Sequence, residues 1–223
     1  MLTRRLIGGA VRARGATLLE LVIAIALAMF LVLLGLPSFS AYLQNSKLRS
    51  TAESFLAGLQ RARAEGMQRN SYSDTTRAHI EFVLTDDDVG GINVNTAALS
   101  NTGRSWMVRW GDSSGLFSRL DSKIGAEGAG TTSAPAVQVA GTDANGTQVL
   151  GVIFDGYGAP HGMVSSGSAA LPIGFLFTNP TGGACAPGGP MRCLKITISI
   201  GGRIRLCDPA VNPVTSPTDS RAC

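Results

Sequence analysis

The chain has 223 residues, 15% of them charged and 28 of them glycine, with a formal net charge of +4. That charge is local: Arg4, Arg5, Arg12 and Arg14 precede Ala16, and without them the basic residues that remain balance the 15 acids. A neutral, glycine-rich remainder excludes general electrostatic attraction to nucleic acid and favours a loop-rich β domain over a helical bundle.

The first predicted element is a long apolar helix. From Leu21 to Ser46 no side chain is charged, and Leu21–Leu36 is apolar apart from Gly35. At about 1.5 Å per residue such a run crosses a hydrocarbon core of roughly 30 Å. Basic residues before it, and none directly after it, put the N-terminus in the cytoplasm and the rest of the chain outside. A secretory signal would have a shorter apolar region ended by a small-residue cleavage site, whereas here the small residue, Gly15, precedes the run. Glu20 lies inside it. An acid at a helix start gains from the dipole there, yet in hydrocarbon a carboxylate costs on the order of 1–3 kcal/mol and needs a partner. Cleavage after Gly15 would free the α-amine of Ala16, one helical turn from Glu20 and opposite in charge. Pro37 predicts a kink or a break.

Beyond it, "KLRSTAESFLAGLQRARAEGMQRN" sets Leu48, Ala52, Phe55, Leu56, Leu59 and Met67 at helical spacing on one stripe. Arg49, Glu53, Gln60 and Arg63 face elsewhere. Short apolar or alternating runs follow at 77–85, 105–110, 136–140, 149–154, 173–178, 193–200 and 203–207, separated by turn residues such as Asn145-Gly146 and Gly201-Gly202. The segments 86–103 and 111–134 read as long exposed loops. The fold class is α+β: one long helix and an antiparallel β-rich region.

The last two runs, "LKITISIGGRIRL", read as a hairpin whose register follows from its faces. A three-residue loop, Ile200-Gly201-Gly202, pairs Ile198 with Ile204 and supplies a glycine for the left-handed position. Lys195, Thr197, Ser199, Arg203 and Arg205 then share the polar face. The cysteines are Cys185, Cys193, Cys207 and Cys223. Outside the cytoplasm an even count reads as two disulfides, with three possible connectivities. Cys185–Cys193 with Cys207–Cys223 is favoured, because each closes a short glycine- or proline-rich loop.

Catalytic and metal chemistry find little support. "GDSSG", Gly111–Gly115, fits GxSxG, but the segment after it lacks the helix a nucleophile elbow needs. The two histidines, His79 and His161, read as structural or solvent-facing. Asp86-Asp87-Asp88 lacks calcium-loop spacing, and the cysteines lack zinc-ligand spacing. No enzyme activity, cofactor or metal is expected.

"RGATLLELVIAIALAM" resembles a class III, prepilin-type signal: basic leader, Gly15, then Glu20 as the fifth residue after the cut. Ala16 departs from the Phe or Met usual there. "FLAGLQRARAEGMQRN", "VIFDGYGAP" and "GGRIRLCDP" resemble the GspH/FimT/FimU family of minor pilins and pseudopilins. The resemblance implies cleavage between Gly15 and Ala16, N-methylation at Ala16 and a role for Glu20 in assembly. It divides the chain into leader 1–15, transmembrane and filament-core helix 16–43, amphipathic half-helix 44–70 and β-rich head 71–223. The implied partners are prepilin peptidase, other minor pilins or pseudopilins, a major pilin and the inner membrane, with the head in the periplasm before it enters a type IV pilus or a type II secretion pseudopilus. The alternative partner is DNA. FimT-like members bind it for natural transformation through a C-terminal GRxR, which Gly202-Arg203-Ile204-Arg205 matches, with Lys195 as a third cation. The bland reading is that the two arginines guard a strand edge.

Overall fold

The computed structural model describes residues 17–85, 94–101, 105–124, 137–165 and 169–223, without the side chains of 33–38. Among these described residues one long helix, α1, runs Leu18–Gln68, and nine strands follow. The chain forms two compact units, one ending at Phe39 and one spanning Ser40–Cys223.

In the first unit α1 begins at a cap: the Glu20 amide donates to Thr17 Oγ1 at 3.2 Å, satisfying one of the free N–H groups of the first turn. Described side chains from Leu18 to Val32 are exposed all round the helix, leucines, isoleucines and Phe30 alike. Among the described residues no helix is long and apolar enough to cross a membrane. The described apolar stretch ends at Val32, short of the roughly 20 residues a span requires. The break expected at Pro37 is not found, because the chain is helical there too. Proline removes one hydrogen bond from a helix that keeps its others on both sides.

In the second unit two antiparallel sheets share one core with α1. The first has the order β3 (Phe117–Lys123), β2 (Ser105–Gly111), β1 (His79–Thr85), β5 (Gly151–Phe154), β6 (Pro160–Met163), and the second β4 (Gln138–Thr142), β7 (Ile173–Thr178), β8 (Leu194–Ile198), β9 (Ile204–Cys207). Leu48, Ala52, Phe55, Leu59 and Ala62 of α1 are fully buried against both inner faces. Phe55 is the pin, 4.6 Å between ring centroids from Phe82 of the first sheet and 5.0 Å from Phe175 of the second. Gly58 lets the helix approach, since a Cβ there would lie 2.7 Å from the Trp106 ring. Near the start of this unit the side chain of Asn45 accepts from the Arg192 amide at 2.8 Å, and Asn179 donates to Gln44 at 2.7 Å.

The expected stripe holds except at its end: Met67 is 44% exposed, and Gly66 takes the buried place. A side chain at 66 would strike the Phe154 carbonyl at 2.8 Å, so only glycine allows the contact. The strands β1 (His79–Thr85), β2 (Ser105–Gly111), β4 (Gln138–Thr142), β5 (Gly151–Phe154), β7 (Ile173–Thr178), β8 (Leu194–Ile198) and β9 (Ile204–Cys207) fall on the seven apolar runs. Two strands do not. β3 (Phe117–Lys123) lies within a segment expected to be loop, and β6 (Pro160–Met163) pairs with β5. β3 is an edge strand carrying Ser118, Arg119, Asp121 and Lys123. Its pairing with β2 skips a residue between Val108 and Arg109, which breaks the alternation a strand pattern relies on. The disulfides are Cys185–Cys193 and Cys207–Cys223, the favoured pairing.

Candidate functional site

The β8–β9 hairpin has the register its faces demand. Ile198 pairs with Ile204 and Thr197 with Arg205. The loop closes through the Ser199 amide to the Arg203 carbonyl at 3.0 Å and the Gly202 amide to the Ser199 carbonyl at 2.9 Å, with Gly202 left-handed at φ 73. Ile196 and Ile198 are buried in the core while Ile204 and Leu206 pack against it. Lys195, Thr197 and Arg205 therefore point the other way. The stem of Lys195 crosses Gly174 of β7, where a Cβ would meet its Cε at 2.6 Å.

The three cations are not equivalent. Arg205 Nη2 donates to the Ser220 carbonyl at 3.2 Å, tying β9 to the C-terminal segment that the Cys207–Cys223 bridge closes. Arg203 is exposed. Among the described residues neither arginine, nor Lys195, has a carboxylate partner. Asp208, which in sequence stands beside the patch, is turned to other work: its Oδ1 accepts from the Ala210 amide at 2.9 Å, and its charge adds to the hydrogen bond and field of Asp219 that raise the Arg221 pKa.

What the sequence conceals is the neighbour of the hairpin tip. The turn after β5 is organised by Asp155, whose Oδ1 accepts from the Tyr157 and Ala159 amides, each at 2.9 Å. These bonds, and the contact with His161 at 3.1 Å, hold its carboxyl below the usual range although burial opposes them. Arg63 of α1 donates from Nε to the Gly158 carbonyl at 3.1 Å. Gly202 lies against that same carbonyl so closely that an added Cβ would sit 1.9 Å from it. The end of α1, the 155–159 turn and the hairpin tip thus converge on one carbonyl. The convergence leaves Tyr157, next to Gly158, 93% exposed and Ile200 70% exposed. A tyrosine between two glycines after a strand is the signal that could have marked this residue.

No protein-family model matches the chain, and no curated protein matches it. Among solved structures it is similar to the type IV minor pilin FimU of Pseudomonas aeruginosa. The identity is 17%, over 71% of this chain and 90% of that one, with a TM-score of 0.38. So distant a likeness carries no statement about activity.

The other sites considered in sequence are placed as follows. Gly15 and Ala16 lie outside the described residues, as do Asp86, Asp87 and Asp88. Glu20 occupies the third position of α1, behind the Thr17 cap. "GDSSG" forms the turn of the β2–β3 hairpin, where Asp112 Oδ1 accepts from the Ser114 and Leu116 amides. A hairpin turn is not the strand-to-helix elbow of a serine hydrolase. Among the described residues no group of three or more His, Cys, Asp or Glu could hold a metal ion. A groove of about 570 Å³ beside the end of β9 is lined by Arg49, Arg192 and Arg221 among others. Arg49 is paired with Glu53 and Arg221 with Asp219, so most of its positive charge is already matched.

Proposed function

We propose that the chain is a minor pilin or pseudopilin. It is cut between Gly15 and Ala16 by prepilin peptidase, methylated at Ala16, anchored in the inner membrane by the 16–43 helix, and moved from there into a type IV pilus or a type II secretion pseudopilus. The head, 71–223, lies on the periplasmic side. The observation that carries this reading is the bare apolar surface of α1 before Phe39, where described side chains such as Leu18, Leu19, Met29 and Leu31 are more than half exposed. A helix that is apolar all round is not stable in water and requires lipid or other helices around it. Read on through Leu33, Leu34 and Leu36 of the sequence, the run is long enough for both.

Assembly then exchanges lipid contacts for helix contacts, with little hydrophobic gain, so packing and polar pairs decide it. Glu20 is the single charged side chain between Gly15 and Lys47. Its partner in the filament would be the Ala16 amine of a neighbouring subunit. Mass analysis of the chain from cells with and without prepilin peptidase checks the first step. Loss of residues 1–15 with a methylated Ala16 is expected only when the peptidase is present. An intact N-terminus in its presence would overturn the reading.

A second reading, DNA binding on the hairpin, is favoured by one specific observation: the Gly158 carbonyl meets the tip of a hairpin whose cations lack carboxylate partners, and its sequence neighbour Tyr157 is an exposed aromatic. Clustered cations hold phosphates without reading sequence, and an exposed aromatic ring stacks on unpaired bases. Each phosphate contact contributes about 0.9 to the slope of log affinity against log salt on duplex. With residues 44–223, disulfides formed, Arg203→Ala/Arg205→Ala is expected to lower that slope by about 2. Tyr157→Ala should instead weaken single-strand binding by about 1–3 kcal/mol per stacked base and leave the slope unchanged. No binding by the folded domain at low salt would leave the arginines as edge protection.

A further inference from the structure

The outer face of the first sheet carries charge where water does not reach. His79 and Glu81 of β1 and Arg109 of β2 are all buried. Arg109 Nε donates to Glu81 Oε1, and its Nη1 donates to the Val94 carbonyl at 2.7 Å. The Phe117 ring lies over this guanidinium, 3.8 Å from Cζ to the centroid, and meets the His79 ring edge-on. The His79 ring lies over Gly111, where a Cβ would be 2.5 Å from its Cε1.

The two nitrogens of His79 decide its charge. Nδ1 is 2.7 Å from the Arg77 carbonyl, a group that only accepts, so Nδ1 carries a proton. Nε2 is 3.5 Å from Glu81 Oε2. Arg109 Nε donates to the other oxygen of that carboxylate, which leaves Oε2 facing the ring. A neutral imidazole would point a lone pair at a buried carboxylate oxygen. With a proton on each nitrogen, every contact becomes favourable.

We propose that His79 is a buried imidazolium, and that the His79–Glu81–Arg109 cluster it completes fastens the Val94–Asn101 segment across the outer face of the first sheet. Contacts that tie that segment down include the Arg109 bond to Val94, the Phe117 amide to Asn95 Oδ1 at 2.8 Å, the Ser100 amide to the Leu84 carbonyl at 3.0 Å and the Gly141 amide to the Asn101 carbonyl at 3.1 Å, and the bridge between Leu99 and Thr85. Beneath it Val83 and Met107 are fully buried, with Val94, Ala97 and Leu99 packed on them. This is why β1 is buried on both faces. Loss of the His79 proton leaves a lone pair facing Glu81 and loosens the near end of the segment.

Among the described residues the charged groups around the ring are few. β1 brings Glu81, and the segment before it brings Arg77, paired with Asp74. β2 brings Arg109, and β3 brings the exposed Arg119 opposite it. The β5–β6 turn brings Asp155 and β6 brings His161, which pair with each other. The 94–101 segment has no titratable side chain. Burial alone pushes the His79 pKa down, but hydrogen bonding and the field of Glu81, with the Arg77 carbonyl, raise it above the usual histidine value. A raised folded-state pKa means that the contribution is full below the unfolded value near 6.5 and is lost as pH rises through the folded value.

The test uses the full chain in detergent, carrying His161→Gln so that one imidazole remains. Nitrogen-15 spectra of the ring at pH 6.5 are expected to show both nitrogens protonated. Amide exchange over 94–101, corrected for intrinsic rates, should rise on passing to alkaline pH, by about tenfold for each unit by which folding raises the pKa. A further His79→Gln change should abolish that pH dependence. A ring with a single protonated nitrogen at pH 6.5, or exchange over 94–101 that ignores pH, would overturn the assignment. Both readings can be made on the chain with His79 intact, so they stand even where His79→Gln fails to fold.

Discussion

Glu20→Gln is expected to leave cleavage after Gly15 and membrane insertion unchanged while removing the chain from sheared filaments. The choice of glutamine matters because Glu20 has two physical roles open to it. Its amide donates to Thr17 Oγ1 at 3.2 Å, so it stands at the third position behind an N-cap, where glutamate and glutamine both serve. If the cap were the whole of its role, Glu20→Gln would be silent and Glu20→Ala would cost at most about 1 kcal/mol. If Glu20 neutralises an amine within a packed helical core, glutamine fails almost as badly as alanine. Removing one partner of a buried ion pair costs about 3–5 kcal/mol, more than a hundredfold in incorporation. The measurement is the ratio of variant to wild-type chain in sheared filaments, beside a Gly15 variant that retains residues 1–15. Equal recovery of Glu20→Gln and wild type would assign Glu20 to the cap and remove charge pairing from the mechanism.

Gly202→Ala is expected to destabilise the head on the order of 3–5 kcal/mol. Two costs combine: a left-handed φ of 73, which costs a side chain about 1–2 kcal/mol, and a Cβ 1.9 Å from the Gly158 carbonyl, which must push the hairpin tip away from the 155–159 turn. That displacement also breaks the pocket that seats Arg63. For a head of this size the loss corresponds to a fall in Tm on the order of 10 °C, read by thermal unfolding with the disulfides intact. The same substitution separates fold from chemistry in the GRxR stretch. Gly202 belongs to the scaffold and Arg203 to the surface, so Gly202→Ala should lower Tm sharply while Arg203→Ala leaves it nearly unchanged. A Gly202→Ala head with wild-type Tm would mean that the three stretches do not converge as described.

The parts legible from sequence are those governed by contacts close along the chain. The α1 stripe from Leu48 to Leu59, the pairing of Ile198 with Ile204, and two disulfides closing short loops each follow from periodicity or loop length. Met67 was misplaced because a stripe continues on paper past the point where the Phe154 carbonyl admits only Gly66. β3 was missed because a skipped residue and a polar edge remove its alternation.

By itself, then, the sequence determined that a long apolar helix precedes the β-rich part, that its continuation packs on a β-rich head, and which hairpin gathers Lys195, Arg203 and Arg205 on one face. Only the tertiary structure decided that Gly202 meets Gly158 and Arg63, that Tyr157 stands beside the hairpin tip, and that His79 shares Glu81 with Arg109. The physical reason is distance along the chain. Helical and strand periods report which face a residue takes, while these meetings join segments dozens of residues apart whose separation is set by the packed core.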